Sequence, residues 1–536
     1  MPQERIYLQT DKPYYAAGDT VWFRAHLLDA ATGMPVNRSR FIYVELHDQQ
    51  ADTLMQRLMI RGDADGVFAN ALLLPEDTRS GVYTMVAYTQ WMRNFGAEHF
   101  CYQPLTVVGA QRVRGHRIPV GVLSQYSIKA SITGKAVTER NPMTLDIDIR
   151  DHDGQPLNGI FALSVTDYDV VKPDSLFWDI RQNLLRQQFS NHTDTLRHIT
   201  YPFQTEQLIT GRVKGTLGQR IKNPHLLVVN GRTGQRYEFE LGDSTRFAVA
   251  VDNPAGTVFT LEGTRRHGQT ALVELQIDPQ TFPKVTLPHY RLTDGADLQA
   301  FQNQAQAQQM FSRAGYIELP EVEKVGKKPK VQRGNVMGIE ALRGIPAGDP
   351  RLERAPTVAA QLAMLGLYAT FVEGKGVIPF TKVYVDNVVE EDHDYVLNLP
   401  ATDIKSIELF PKESAINSMF GVRPTPNGHI PGVLFIFLKD GSEVLRSKPS
   451  HALSMATVRQ LGYEQPVEFY SPQYTDKDST RPDRRTTLYW NPKTETDGNG
   501  HATVCFYASD VSKRYLVTLE GVSNDGTIVH HQQVIE

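Results

Sequence analysis

Residues 7 to 30 read YLQTDKPYYAAGDTVWFRAHLLDA, and this stretch constrains the fold more than any other. Val21, Phe23, Ala25 and Leu27 alternate with Trp22, Arg24 and His26. A period of two sends one set to each face of a pleated strand, so the run predicts a half-buried β-strand. Pro13 has no backbone N–H to give to a ladder, so the strand before it must end there or lie at an edge. Gly18 supplies the positive φ that the turn into the next strand requires. The alternation returns in RFIYVELHD, ADGVFANALLL, SGVYTMVAYTQWMRN and PLTVVG. Strand-like runs separated by recurrent turn signals predict an all-β sandwich over 1–109.

The chain has 536 residues, and one hydrophobic core rarely grows past a few hundred, so several domains are expected. SIKASITGKAV, MTLDIDIRD and NGIFALSVTDYDV are strands of a second segment, 110–205. Within it SLFWDIRQNLLRQQF spaces Leu176, Ile180, Leu184 and Phe189 as a short helix does. A third β-rich unit spans 206–290, with polar turns such as NGRTG and DNPAG. TDGADLQAFQNQAQAQQMFSR reads as a helix and EVEKVGKKPKVQRGN as a basic exposed linker, together covering 291–335. Residues 336–445 mix helix and strand as a small α/β domain, and 446–536 return to β texture. The sequence leaves open whether the strands of 120–170 and 486–536 form one domain around an insertion. The expected fold class is mostly β and multi-domain, with β-sandwiches and one small α/β domain.

Three stretches carry family resemblances. TDKPYYAAGDTVWFRA resembles the start of a macroglobulin-like domain of the alpha-2-macroglobulin family, through Asp11, Lys12, Pro13, Tyr15, Gly18, Asp19, Val21, Phe23 and Arg24. LYWNPKTETDGNGHATVCFYASD, 488–510, resembles a later macroglobulin segment. KVYVDNVVEEDHDYVLNLPATDIKSIELFPKESAINSMFG, 382–421, resembles the plug domain of TonB-dependent outer-membrane receptors. The matching positions are Val383, Tyr384, Val385, Asp386, Pro400, Asp403, Ile404, Ser406, Ile407, Glu408, Ala415 and Gly421; Asn387 departs from the usual glycine. LITGRVKG is similar to a carboxypeptidase-regulatory-like sandwich. Together these features resemble Gram-negative envelope proteins that combine macroglobulin-like and plug-like domains. The resemblance implies a non-enzymatic protein of the periplasm or outer membrane that works by binding other proteins. An outer-membrane receptor or energising protein is the implied partner. Two alternatives stand beside it: an accessory component of a TonB-dependent nutrient-uptake system, and a non-covalent protease inhibitor. The chain is too short after the plug-like unit to add a receptor barrel, which needs many strands of about ten residues. The Cys-Gly-Glu-Gln thioester of covalent protease traps is also missing, because Cys101 precedes Tyr102 and Cys505 precedes Phe506.

Little else in the sequence points to chemistry. A net charge of -4 argues against a polyanion-binding surface. The 16 histidines form no His-Glu-x-x-His zinc helix, and the adjacent His530 and His531 would point to opposite faces of a strand. Gly-x-Ser-x-Gly and phosphate-loop patterns are missing. Asp63/Asp65/Gly66, Asp151/Asp153/Gly154 and Asp497/Gly498 lie between strands, where Asp-Gly serves hairpin geometry. The remaining binding candidates are the acidic run Glu390, Glu391, Asp392 and Asp394 around His393, and Trp91 with Arg93. Neither cofactor nor metal is expected, nor nucleic acid as a partner, and no apolar run reaches the roughly 20 residues of a transmembrane helix.

Overall fold

The computed structural model describes residues 1–109, 129–133, 139–173, 179–186, 199–215, 221–233, 235–242, 245–265, 273–290, 297–313, 454–474 and 482–536. Between 335 and 438 it describes 335–336, 339–340, 343–345, 349, 352, 355, 357–368, 370–372, 375–378, 381–385, 388–390, 392–397, 399, 401, 404–410 and 432–438. The chain divides into two compact units. One comprises Met1–Gln207, Thr281–Glu321 and Leu461–Glu536; the other comprises Leu208–Gln280 and Val322–Gln460.

The first unit begins with eight strands: β1 (Glu4–Thr10), β2 (Tyr14–Ala16), β3 (Thr20–Asp29), β4 (Phe41–Asp48), β5 (Thr53–Arg61), β6 (Phe68–Leu73), β7 (Gly81–Tyr88) and β8 (Cys101–Val108). They make two sheets, β1-β3-β6 and β2-β8-β7-β4-β5, and Tyr463–Glu464 extends the second beyond β5. β1 and β3 pair from Glu4↔Asp29 to Thr10↔Phe23. Asp11, Lys12 and Pro13 then carry the chain from the first sheet to the second, where β2 lies parallel to β8 at the sheet edge. A residue without an N–H is harmless at such a crossing. Gly18 has φ 85°, as its turn demands. Val21, Phe23, Ala25 and Leu27 all point into the core, with Ile42, Val44 and Met85 among their neighbours in it.

A second sandwich follows, built from both ends of the chain. β9 (Lys129–Thr133), β10 (Pro142–Arg150) and the strand His501–Tyr507 form one sheet. In the other, β11 (Ile160–Asp167) lies between Thr487–Glu495 and Tyr515–Val522, with Ile528–Ile535 beyond. β10 pairs with the C-terminal strand from Pro142↔Tyr507 to Asp148↔His501. The two β segments that the sequence left unassigned to each other therefore share one core, in which Leu145, Ile147, Phe161 and Leu163 meet Val504, Val517 and Leu519. Helix α1 (Ile180–Arg186) falls within the predicted helical run, and α2 (Asp297–Arg313) within the next.

The second unit holds two substructures. Sheets Arg246–Val251/Gln207–Gly215/Val273–Ile277 and Arg236–Glu240/His225–Asn230/Phe259–Thr264 form a sandwich, completed by Met455–Val458. The α/β part is a mixed sheet in the order Arg343–Ile345, Ile404–Phe410, Gly432–Leu438, Thr381–Val385, Val388–Glu390. One face packs Val383, Val385, Ile407, Leu434 and Ile436 with Val358, Leu362 and Val396 from the short helices Val358–Ala363 and His393–Leu397. Thr357 caps the first of these by accepting from the Ala360 amide at 3.2 Å. The linker reading of 321–335 falls outside the described residues, Asn335 excepted.

Candidate functional site

A buried polar constellation grows out of the Asp-Lys-Pro corner and lies where the two sandwiches of the first unit meet. Asp11 is buried, and Oδ1 accepts from the Tyr15 hydroxyl at 2.5 Å and the Trp22 amide at 3.1 Å. Oδ2 accepts from Thr487 Oγ1 of the second sandwich at 2.6 Å. Ser164 of β11 donates to the Asp11 carbonyl. Lys12 Nζ reaches Asp19 Oδ2 at 2.9 Å and Thr486 Oγ1 at 3.0 Å, and lies 4.9 Å from the Tyr15 ring centroid. Burial pushes the Asp11 carboxyl above its ordinary range, although Lys12 and three hydrogen bonds act to lower it. Burial and the neighbouring Asp11 push the Tyr15 phenol well up. Chemically this is a latch, with each polar group answered by another.

A second network at the same junction centres on Glu520. Its Oε2 accepts from the Tyr7 hydroxyl at 2.7 Å, and its Oε1 meets the Ile180 amide at 3.2 Å and His530 Nδ1 at 2.6 Å. His530 Nε2 lies 3.8 Å from Asp179 Oδ2. Asp179 Oδ1 in turn takes the Arg181 and Gln182 amides at 2.8 and 2.9 Å and so caps α1. Ile180 and Leu184 of α1 pack with Tyr7 and Leu28 of the first sandwich and Val522 of the second. None of Glu520, Asp179 and Tyr7 was legible as a functional residue. The one available signal was that His530 and His531 alternate on a strand, and they do: His530 meets Glu520, while His531 meets Gln533 at 3.2 Å.

The binding candidates read from the sequence are placed differently. Trp91 is 4% exposed, an anchor at the edge of the first sandwich. Its ring stacks on Phe203 at 4.0 Å, and Nε1 donates to the Pro2 carbonyl at 2.8 Å. Arg93 donates to the Thr281 carbonyl at 2.9 Å and the Tyr201 hydroxyl at 3.0 Å, and its guanidinium lies 3.8 Å from the Tyr201 ring centroid. Both side chains hold the chain's own 199–207 and 281 segments against the first sandwich. In the acidic run, Asp392 is exposed and accepts from the Tyr395 amide at 3.2 Å, while its own amide donates to Glu390 Oε1 at 3.0 Å. His393 Nδ1 accepts from the Ile378 amide at 3.1 Å. The geometry is that of a helix start. Glu391 and the Asp394 side chain lie outside the described residues.

The aspartate turns also resolve as turns. Asp63 Oδ1 takes the Asp65 and Val67 amides at 2.9 Å each, with Gly66 at φ 74°. Asp497 Oδ1 takes the Asn499 and His501 amides at 2.8 and 2.9 Å, and the positive φ falls on Gly500. Among the described residues, no group of three or more His, Cys, Asp or Glu is placed to hold a metal ion. No described helix is long and apolar enough to cross a membrane.

Residues 5–99 match the family described as the MG2 domain, so the first sandwich is a macroglobulin-like domain. Among solved structures, trypsin-activated alpha-2-macroglobulin from Escherichia coli is similar at 8% identity, covering 99% of this chain and 41% of that one, with a TM-score of 0.26. Methylamine-reacted Salmonella alpha-2-macroglobulin is similar at 8% identity, 99% and 39% coverage and a TM-score of 0.26. The Escherichia coli adhesin FdeC gives 11% identity, 50% and 62% coverage and a TM-score of 0.15. The chain thus spans about two fifths of the length of the macroglobulins it matches, and likeness at these TM-scores carries no weight for function. No curated protein matches the chain.

Proposed function

We propose that the chain is a non-enzymatic protein of the bacterial cell envelope that acts by binding other proteins. The observation that carries this reading is the macroglobulin-like sandwich over 5–99. It is supported by the way the buried polar groups of the first unit are spent. Asp11, Lys12 and Glu520 hold sandwich to sandwich, which suits a scaffold that presents surfaces to a partner. Crosslinking mass spectrometry on intact envelopes tests the reading. Reproducible crosslinks from the described strands to other proteins are expected, and a chain that crosslinks only to itself would refute it.

The finer reading is an accessory role in TonB-dependent uptake. Its support is that the plug-like motif falls on two strands of a single sheet, either side of Gly432–Leu438: Val383, Tyr384 and Val385 on one, Ile404, Ser406, Ile407 and Glu408 on the other. Co-purification with an outer-membrane receptor is the expected outcome, and its absence from detergent extracts that retain known receptors removes this role alone.

A further inference from the structure

Glu408 sits where a charge does not belong. Its strand, Ile404–Phe410, sends Ile407 into the core with the helices, and alternation sends Glu408 to the other face. There Glu408 is directly opposite Phe435 on one neighbouring strand and Gly344 on the other, and Phe435 is opposite Tyr384 on the strand beyond. The row is aromatic. Phe435 stacks on Tyr384 at 4.8 Å, meets Phe410 edge-on at 5.6 Å and lies 6.2 Å from Phe437. Glu408 is 7% exposed, and among the described residues its Oε2 has no hydrogen-bond partner. Among the described residues, the other titratable groups of this face stand at the far end of the row. Lys382 Nζ is 5.6 Å from the Tyr384 ring centroid, and Glu262 interacts electrostatically with both Lys382 and Tyr384.

An ionised carboxylate buried without a partner is far costlier than a neutral acid with one unmade hydrogen bond. We propose that Glu408 is a proton-operated latch: as the neutral acid it lets the aromatic face of this sheet stay closed, and as the carboxylate it drives that face open. Burial raises this carboxyl from the ordinary 4.5 to about 7, and among the described residues no positive charge opposes it. The sign follows from linkage. The closed state keeps its proton to higher pH than the open state, so closure is favoured at low pH and weakens as pH rises from 4.5 through 7. With those two values the opening equilibrium grows about tenfold between roughly pH 6 and 8.5.

Amide hydrogen exchange over 404–410 and 432–438 in the full chain reads this directly, after correction for the intrinsic pH dependence of exchange. The wild type is expected to show about tenfold more opening at the higher pH. Glu408→Gln, which cannot ionise, is expected to show none of that excess, and Glu408→Met serves as a second neutral replacement should the amide variant fold poorly. A wild type without the excess overturns the latch whatever the variants do. An excess that survives in a folded neutral variant overturns it as well, because another group would then be titrating.

Discussion

Lys12 shows how one residue can serve two domains. Its stem lies against Tyr15, and its ammonium joins Asp19 of its own sandwich to Thr486 of the next, with the side chain 6% exposed. Removing one partner of a buried pair strands the other, at about 3–5 kcal/mol. Asp19 remains 19% exposed and recovers some hydration, so Lys12→Met is expected to lower stability by about 2–4 kcal/mol, read from denaturant unfolding. A change within about 0.5 kcal/mol would show the contact to be idle. The cysteines give a simpler residue-scale test. Burial pushes the Cys101 thiol up to about 12, whereas Cys505 is exposed. A thiol reagent should titrate one cysteine in the native protein and both in denaturant; two fast native reactions would contradict the burial of Cys101.

At the scale of the element, α1 is a short helix whose stability comes from its docking, since seven residues cannot sustain a helix in water alone. Burial acts to raise the Asp179 carboxyl, but the His530 charge, the Gln182 amide and Arg181 together outweigh it and hold it below its ordinary range. A depressed acid stabilises the folded state above its unfolded value near 4, and that contribution is lost as pH falls further. Exchange protection over Ile180–Arg186 should therefore drop below about pH 4. Asp179→Ala, which removes the cap, should cost about 1–2 kcal/mol of local stability and abolish that acid dependence. Undiminished protection in the variant would place the anchoring elsewhere. Helix spacing made α1 legible, as two-step alternation made β3 and β10 legible. Met455–Val458 was not, because four residues completing another strand's sheet carry no periodicity of their own. The partners of Trp91 and Arg93 were hidden for a related reason: a sequence shows an aromatic and a cation side by side but not the Phe203 and Tyr201 rings that cover them.

For the whole molecule, what matters is that the chain leaves the first unit and returns to it twice. The macroglobulin-like corner could be read from local residues, since Pro13 and Gly18 act within their own turns. The latch could not, because Thr486 and Thr487 lie more than four hundred residues from the corner they bind. The same long-range closure makes the second sandwich conditional on the end of the chain. β11 is flanked on both sides by C-terminal strands, pairing Val165↔Tyr489 on one side and Val165↔Val517 on the other, whereas β10 keeps β9 as a neighbour. A chain ending at Gln460 should then leave β11 without either hydrogen-bonding partner and expose Leu163 and Val165, both fully buried in the intact protein. Burying such side chains is worth about 1.5–3 kcal/mol each, so the loss exceeds what a remnant of two or three strands can hold. The first sandwich keeps all eight of its own strands, although it loses Tyr463–Glu464, the Thr486 and Thr487 contacts of the corner and the Tyr7–Glu520 hydrogen bond. In the shortened chain, amide protection should collapse over Pro142–Arg150 and Ile160–Asp167 while persisting over β3, β4 and β7. Native-like protection of β11 without its C-terminal neighbours would mean that the first half of the chain builds a sandwich by itself, against the pairing seen here.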